Sequence, residues 1–78
     1  MTLKIISATD TVFQGEVSAV TLPGAMGSFT VLHNHASLVS TLTGGTIEFT
    51  DSDGHRDSRD IPGGLADIDN NVISVCIY

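Results

Sequence analysis

The chain has 78 residues, 41% of them hydrophobic and 15% charged, with a formal net charge of −6 at pH 7. This length allows one domain with one core, spanning residues 1–78, and the apolar share excludes a disordered chain. Nine carboxylates against Lys4, Arg56 and Arg59 repel phosphate backbones and anionic headgroups, so nucleic acid is excluded as an expected partner.

In chain order, the opening "MTLKIISATD" alternates apolar and polar residues and lacks the apolar stretch of a signal peptide. It predicts a strand over about 3–8. Gln14-Gly15 then punctuates the chain before a second strand at 16–22, and Pro23-Gly24 closes that one ahead of a third at 28–32. A fourth is predicted at 38–42. After Gly44-Gly45 comes "TIEFT", which puts Ile47 and Phe49 on one face and Glu48 on the other, for a strand at 45–51. Asp53-Gly54 predicts a two-residue type I′ hairpin turn into a strand at 55–61. Beyond Pro62-Gly63-Gly64 and around Asn70-Asn71 lie strands at 65–68 and 71–77, the last with Ile73, Val75 and Ile77 on one face. No window holds helical periodicity, so the expectation is an all-β domain of short strands, a two-sheet sandwich rather than a barrel. No run approaches the ~18 apolar residues of a membrane span, and Cys76 is the sole cysteine, which together predict a soluble, cytoplasmic chain.

Chemistry-bearing motifs are few. His33-x-His35 could put two imidazoles on one side of an extended segment, with Cys76 or His55 to complete a zinc site, but no residue is fixed as a third ligand. The expected role of these histidines is hydrogen bonding to main chain at a loop. "DSDG" and "DIDN" lack the further ligands of a calcium loop and read as turns. "GAMGS" lacks the Lys of a phosphate loop, and no carboxylate pair sits in an apolar setting suited to acid–base work. No catalysis and no cofactor are expected. Ala25, Met26, Phe29, Val31 and Leu32 crowd a turn-rich stretch, either as a contact surface or as residues pointing into the core.

The order of these residues carries a resemblance. "VFQGEVSAVTLPGAMGSFTVLHNHASLV", Val12 to Val39, resembles the N-terminal domain of the epsilon subunit family of F-type ATP synthases: Phe-x-Gly-x-Val, then Pro-Gly-x-x-Gly-x-Phe-x-Val-Leu, then a His-Ala-Pro turn. "IPGGLADIDNNVISVCI", Ile61 to Ile77, is similar to that domain's closing strands. Ser37 replaces the usual Pro, which implies a less rigid turn, and Ser28 stands where several members have an acid. The chain stops at Tyr78, so the family's C-terminal helical pair is expected to be absent and its regulatory roles are not implied.

The resemblance implies a β-sandwich of about ten strands in two five-stranded sheets. It implies a non-catalytic rotor subunit of the central stalk, docking the foot of the gamma subunit onto the c-ring and coupling ion flow to ATP synthesis, peripheral to the bacterial plasma membrane on its cytoplasmic side. By family position, Met26, Gly27, Ser28, His33, Asn34 and His35 would face the c-ring; the apolar strand around Val39 and Leu42 is the candidate for the gamma surface. No small-molecule substrate and no metal are implied. The alternative from the residues alone is a free-standing ligand- or metal-binding sandwich centred on His33 and His35.

Overall fold

The computed structural model describes residues 1–78 and contains strands and turns with no helix. The strands are β1 (Thr2–Ile6), β2 (Thr11–Leu22), β3 (Phe29–Leu32), β4 (Leu38–Leu42), β5 (Gly45–Asp51), β6 (Arg56–Ile61), β7 (Gly64–Asp69) and β8 (Val72–Ile77). One layer runs β4-β7-β8-β1-β2, with β1 and β8 parallel and every other pair antiparallel. The other runs β3-β2-β5-β6, all antiparallel. The all-β sandwich expected from the sequence is what forms, as eight strands with β2 shared between a five-stranded and a four-stranded layer.

Sharing β2 explains the largest boundary difference, since that strand begins at Thr11 rather than Glu16. Gln14-Gly15 is no turn. Gly15 lies inside the strand because the Phe13 ring folds over it: a Cβ added there would come within 3.1 Å of Phe13 Cζ. Further on, the register with β5 shifts between Val17 and Ala19, leaving Ser18 as the extra residue of a β-bulge. The bulge changes the phase of alternation, so that Val17, Val20 and Leu22 all face inward. Without it, half of β2 would turn its apolar side to water.

Alternation on the other strands fills the space between the layers. Leu3 and Ile5 of β1, Ile47 and Phe49 of β5, Ala66 and Ile68 of β7, and Ile73 and Val75 of β8 belong to one cluster of 14 buried residues. No buried side-chain polar atom is left without a partner, so the core is apolar throughout.

Two tight turns exchange the roles expected of them. After β5 the loop has three residues, with Asp51 and His55 paired across it, and only Gly54 takes a left-handed φ, of 87°. Asp53 therefore does not share a type I′ turn with Gly54. That geometry belongs to Asn70 and Asn71, at φ 50° and 60°, joining the paired residues Asp69 and Val72. Asparagine tolerates the left-handed region through its short polar side chain, and a double asparagine can fill both positions.

One corner of the sandwich is tied by main chain. Gly24 bridges Leu42, Ala25 N–H donates to Thr41 O at 2.9 Å, and Thr43 N–H donates to Pro23 O at 2.9 Å. The diagonal corner is covered by side chains. The Phe13 and Phe49 rings pack at a 43° tilt with centroids 4.4 Å apart, and the Arg59 guanidinium lies over both at 5.7 and 5.8 Å. An inward-pointing Arg on the outer strand β6 also discourages edge-to-edge pairing with another chain.

Candidate functional site

The Pro23–Ser28 loop leaves β2 and enters β3. Its base is fixed by the Ala25 and Thr43 main-chain bonds, and Gly27 N–H donates to Gly24 O at 3.0 Å while Gly27 itself takes φ 126°. Met26 at the apex is fully exposed, and Ser28 is exposed beside it. Phe29 packs against the core and Val31 is buried within it, so of the apolar residues crowding this stretch Ala25, Met26 and Leu32 remain on the surface.

The turn from His33 to Ser37 lies at the opposite end of β3. His35 N–H donates to Leu32 O, and His35 Nδ1 lies 2.6 Å from Ala36 O, the main-chain role expected of a loop histidine. Asn34 takes φ 60°. Its N–H donates to Asn71 Oδ1 at 2.7 Å, and Asn71 Nδ2 donates back to Asn34 Oδ1 at 3.0 Å. Ser37 Oγ donates to Asp69 Oδ1 at 2.6 Å. Ser37 is thus tied to the β7–β8 turn. Asn71 and Asp69 escaped the sequence reading because the residues they hold lie 37 and 32 positions away, and nothing local in "DNN" marks them.

The six residues expected on one partner therefore form two patches, Met26-Gly27-Ser28 and His33-Asn34-His35, separated by a strand of four residues, or about 13 Å at the usual rise. They also sit at opposite ends of β4, which starts beside Ser37 and ends at the Thr41 and Thr43 contacts with the other loop. The expected gamma-facing pair separates as well. Val39 is 63% exposed on the outer side of β4, whereas Leu42 is 3% exposed and belongs to the core, where its side chain offers no surface to a partner. Across the same outer face, Thr41 pairs with Leu65, which pairs with Cys76, which pairs with Ile6. Leu65 is 44% and Val72 41% exposed, so these two and Val39 supply the apolar surface of that face.

The outer face of the second layer is different in kind. Thr21, Thr30, Thr46, Thr50, Glu48 and Ser58 cover it, with Thr21 and Thr30 hydroxyls 3.0 Å apart and Thr46 donating to Asp60 at 2.8 Å. A shallow depression of about 460 Å³ there is lined mainly by polar groups. No nucleophile with an adjacent base lies in it.

One group of three potential metal ligands exists, Asp51, Asp53 and His55, whose ligand atoms lie within 4.8 Å of one another. Its arrangement is accounted for by the hairpin: Asp51 Oδ1 accepts the N–H groups of Asp53 and His55, each at 2.9 Å. The His55 main-chain bond, joined by those of Asp53 and the His55 ring, holds the Asp51 carboxyl below the usual range. His33 and His35 do not belong to this group.

The comparisons with known proteins agree with the all-β sandwich fold. The family described as the ATP synthase delta/epsilon chain β-sandwich domain matches residues 1–77. The chain is 40% identical over 75 residues to an ATP synthase epsilon chain of Campylobacter jejuni subsp. doylei, covering 96% of this chain and 58% of that protein. To an ATP synthase epsilon chain of Wolinella succinogenes it is 42% identical over 67 residues, covering 86% and 51%. The chain thus spans between half and three-fifths of the length of these relatives. Among solved structures, a chain of the Euglena gracilis mitochondrial ATP synthase, in a structure of OSCP, F1 and c-ring, superposes with a TM-score of 0.88 at 26% identity, over 96% of this chain and 48% of that one. A chain from the central stalk and c-ring of the Tetrahymena thermophila mitochondrial ATP synthase has the same fold, with a TM-score of 0.82 at 11% identity, over 100% and 63%. Sequence match from end to end and a shared two-layer fold place the chain in the ATP synthase delta/epsilon chain β-sandwich domain family.

Proposed function

We propose that this chain is a non-catalytic central-stalk subunit of an F-type, ion-translocating ATP synthase, joining the foot of the gamma subunit to the c-ring. Its place is peripheral to the bacterial plasma membrane, on the cytoplasmic side. The observation that carries the reading is the family match over residues 1–77, in relatives that are named epsilon chains. A chain whose task is to hold two partners in rotation must resist shear, and a two-layer sandwich with an apolar core transmits force as a docked rigid body.

Met26, Gly27 and Ser28 at one end of β3, and His33, Asn34 and His35 at the other, contact the c-ring in this reading. With both patches engaged, β3 lies along the ring, and its exposed Leu32 and Thr30 fall between them. The gamma subunit takes the outer face of the five-stranded layer through Val39 and Leu65, with Leu42 supporting that strand from the core side.

Titration calorimetry against the gamma subunit of the same organism tests the assignment. A one-to-one complex with a micromolar Kd or tighter, about −8 kcal/mol or better, is expected. No heat of binding from a chain shown to be folded would overturn it.

A further inference from the structure

We propose that Asn71, with Asp69 beside it, is a positioning residue for the His33–Ser37 turn, so that this turn and the β7–β8 turn dock as one unit. This rests on the reading that His33, Asn34 and His35 face the ring. A five-residue turn without proline samples many conformations, and a partner that selects one of them loses affinity in ordering the rest. Three hydrogen bonds with the adjoining β7–β8 turn remove that freedom.

The Asn34–Asn71 pair closes a ring of two hydrogen bonds, at 2.7 and 3.0 Å, that holds both the main chain and the side chain of Asn34 at its left-handed φ. Ser37 to Asp69 at 2.6 Å fixes the other end of the turn. The base of the brace is itself anchored, because Asn71 O accepts Thr2 N–H at 2.9 Å and so ties the tight turn to β1. The brace draws on Asn34 and Ser37 and leaves the His33 ring and His35 Nε2 free for a partner, since His35 uses only Nδ1. Two side chains of the β7–β8 hairpin thus restrict the turn.

Asn71→Gly is the discriminating variant, because glycine accepts the left-handed φ of position 71 and suits a type I′ turn while removing the amide. Its fold and melting temperature are expected to stay near those of the parent chain. In the free chain, amide exchange at Asn34 is expected to quicken about tenfold, since that N–H loses its acceptor. Binding to membrane vesicles carrying the ATP synthase depleted of this subunit is expected to weaken by about five- to tenfold. Adding Ser37→Pro should restore most of the lost affinity by restricting the turn in another way.

A joint His33→Ala and His35→Ala variant separates the layers of the claim. Weakened binding in that variant with unchanged binding in Asn71→Gly keeps the ring-facing reading and overturns the brace. Unchanged binding in both removes the ring-facing reading and the proposal with it. Weakened binding in Asn71→Gly without faster Asn34 exchange, or without rescue by proline, means that Asn71 touches the partner directly, and the positioning role is overturned.

Discussion

The two loops at the ends of β3 reach fixed shapes by different means. Pro23–Ser28 is held by main chain, through Ala25 N–H to Thr41 O and Thr43 N–H to Pro23 O, and by close approach of glycine to its neighbours. His33–Ser37 is held by side chains, Asn34 to Asn71 and Ser37 to Asp69. Main-chain bonds are indifferent to most substitutions, so the first loop depends on where side chains are absent. The second depends on which side chains are present, some of them far away in sequence.

The comparison breaks most sharply at Gly24. A Cβ there would lie 2.7 Å from Gly27 O and 2.8 Å from the Phe29 ring, and both are packed too closely to yield freely. Gly24→Ala is expected to cost about 1–3 kcal/mol in urea unfolding, the usual range for overpacking at a fixed site. A cost near zero would mean that the loop is less tightly held than its bonds indicate.

At the other end the corresponding probe is a pair of variants. Asn34→Ala loses both the amide and the tolerance of a left-handed φ, and is expected to cost about 1–2 kcal/mol. Asn34→Gly keeps the backbone conformation and retains an N–H for Asn71, so it should cost about half as much or less. Equal costs would assign the effect to the amide alone and none to the backbone.

This contrast also governs what was legible in the sequence. Period-2 patterning located β1 and β3 to β8 within two residues at each end, because each buries one face and the pattern is local. It failed at Gly15, where a glycine inside a strand looks the same as one in a turn, and only the Phe13 ring distinguishes them. Asp53-Gly54 and Asn70-Asn71 both read as turns, but turn type depends on how many residues the strand register leaves unpaired, a tertiary property. The two patches were legible as exposed, glycine- or histidine-bearing loops. Their separation by β3 was not, nor was the burial of Leu42, since a single sequence does not say which face of an edge strand meets the other layer.

A third turn, between β5 and β6, is held by charge and sharpens the comparison by its pH dependence. Asp51 is held below the usual carboxylate range first by the His55 main-chain bond, Glu16 first by the Thr2 hydroxyl and then by the amino terminus, and Asp57 first by the Ser58 main-chain bond and then by Arg59. A folded value below the unfolded one gives stability that is present above the unfolded value, near pH 4 for such groups, and that is lost as pH falls through the folded value. Thermal unfolding from pH 6 to pH 2 should therefore show an acid limb that is shallower in Asp51→Asn, whose side-chain oxygen still accepts the two N–H groups but no longer titrates. Asn34→Gly, which removes a neutral amide, should leave the slope of that limb unchanged.

Met26 gives the smallest expected effect on the fold and the cleanest test of the main-chain-held loop. Its side chain is fully exposed, and the bonds that shape the loop run through Gly24, Ala25 and Gly27. Met26→Ser should change stability by less than about 0.5 kcal/mol, as for other surface substitutions away from packed or strained positions. Its exposed apolar area is lost all the same, so ATP-driven ion pumping by a reconstituted complex should fall at limiting concentrations of this subunit if the loop meets the ring. Unchanged pumping with Met26→Ser, alongside weakened binding of the His33 and His35 variant, would confine ring contact to the side-chain-braced end of β3, and the sandwich would then stand on the ring by one end rather than lie along it.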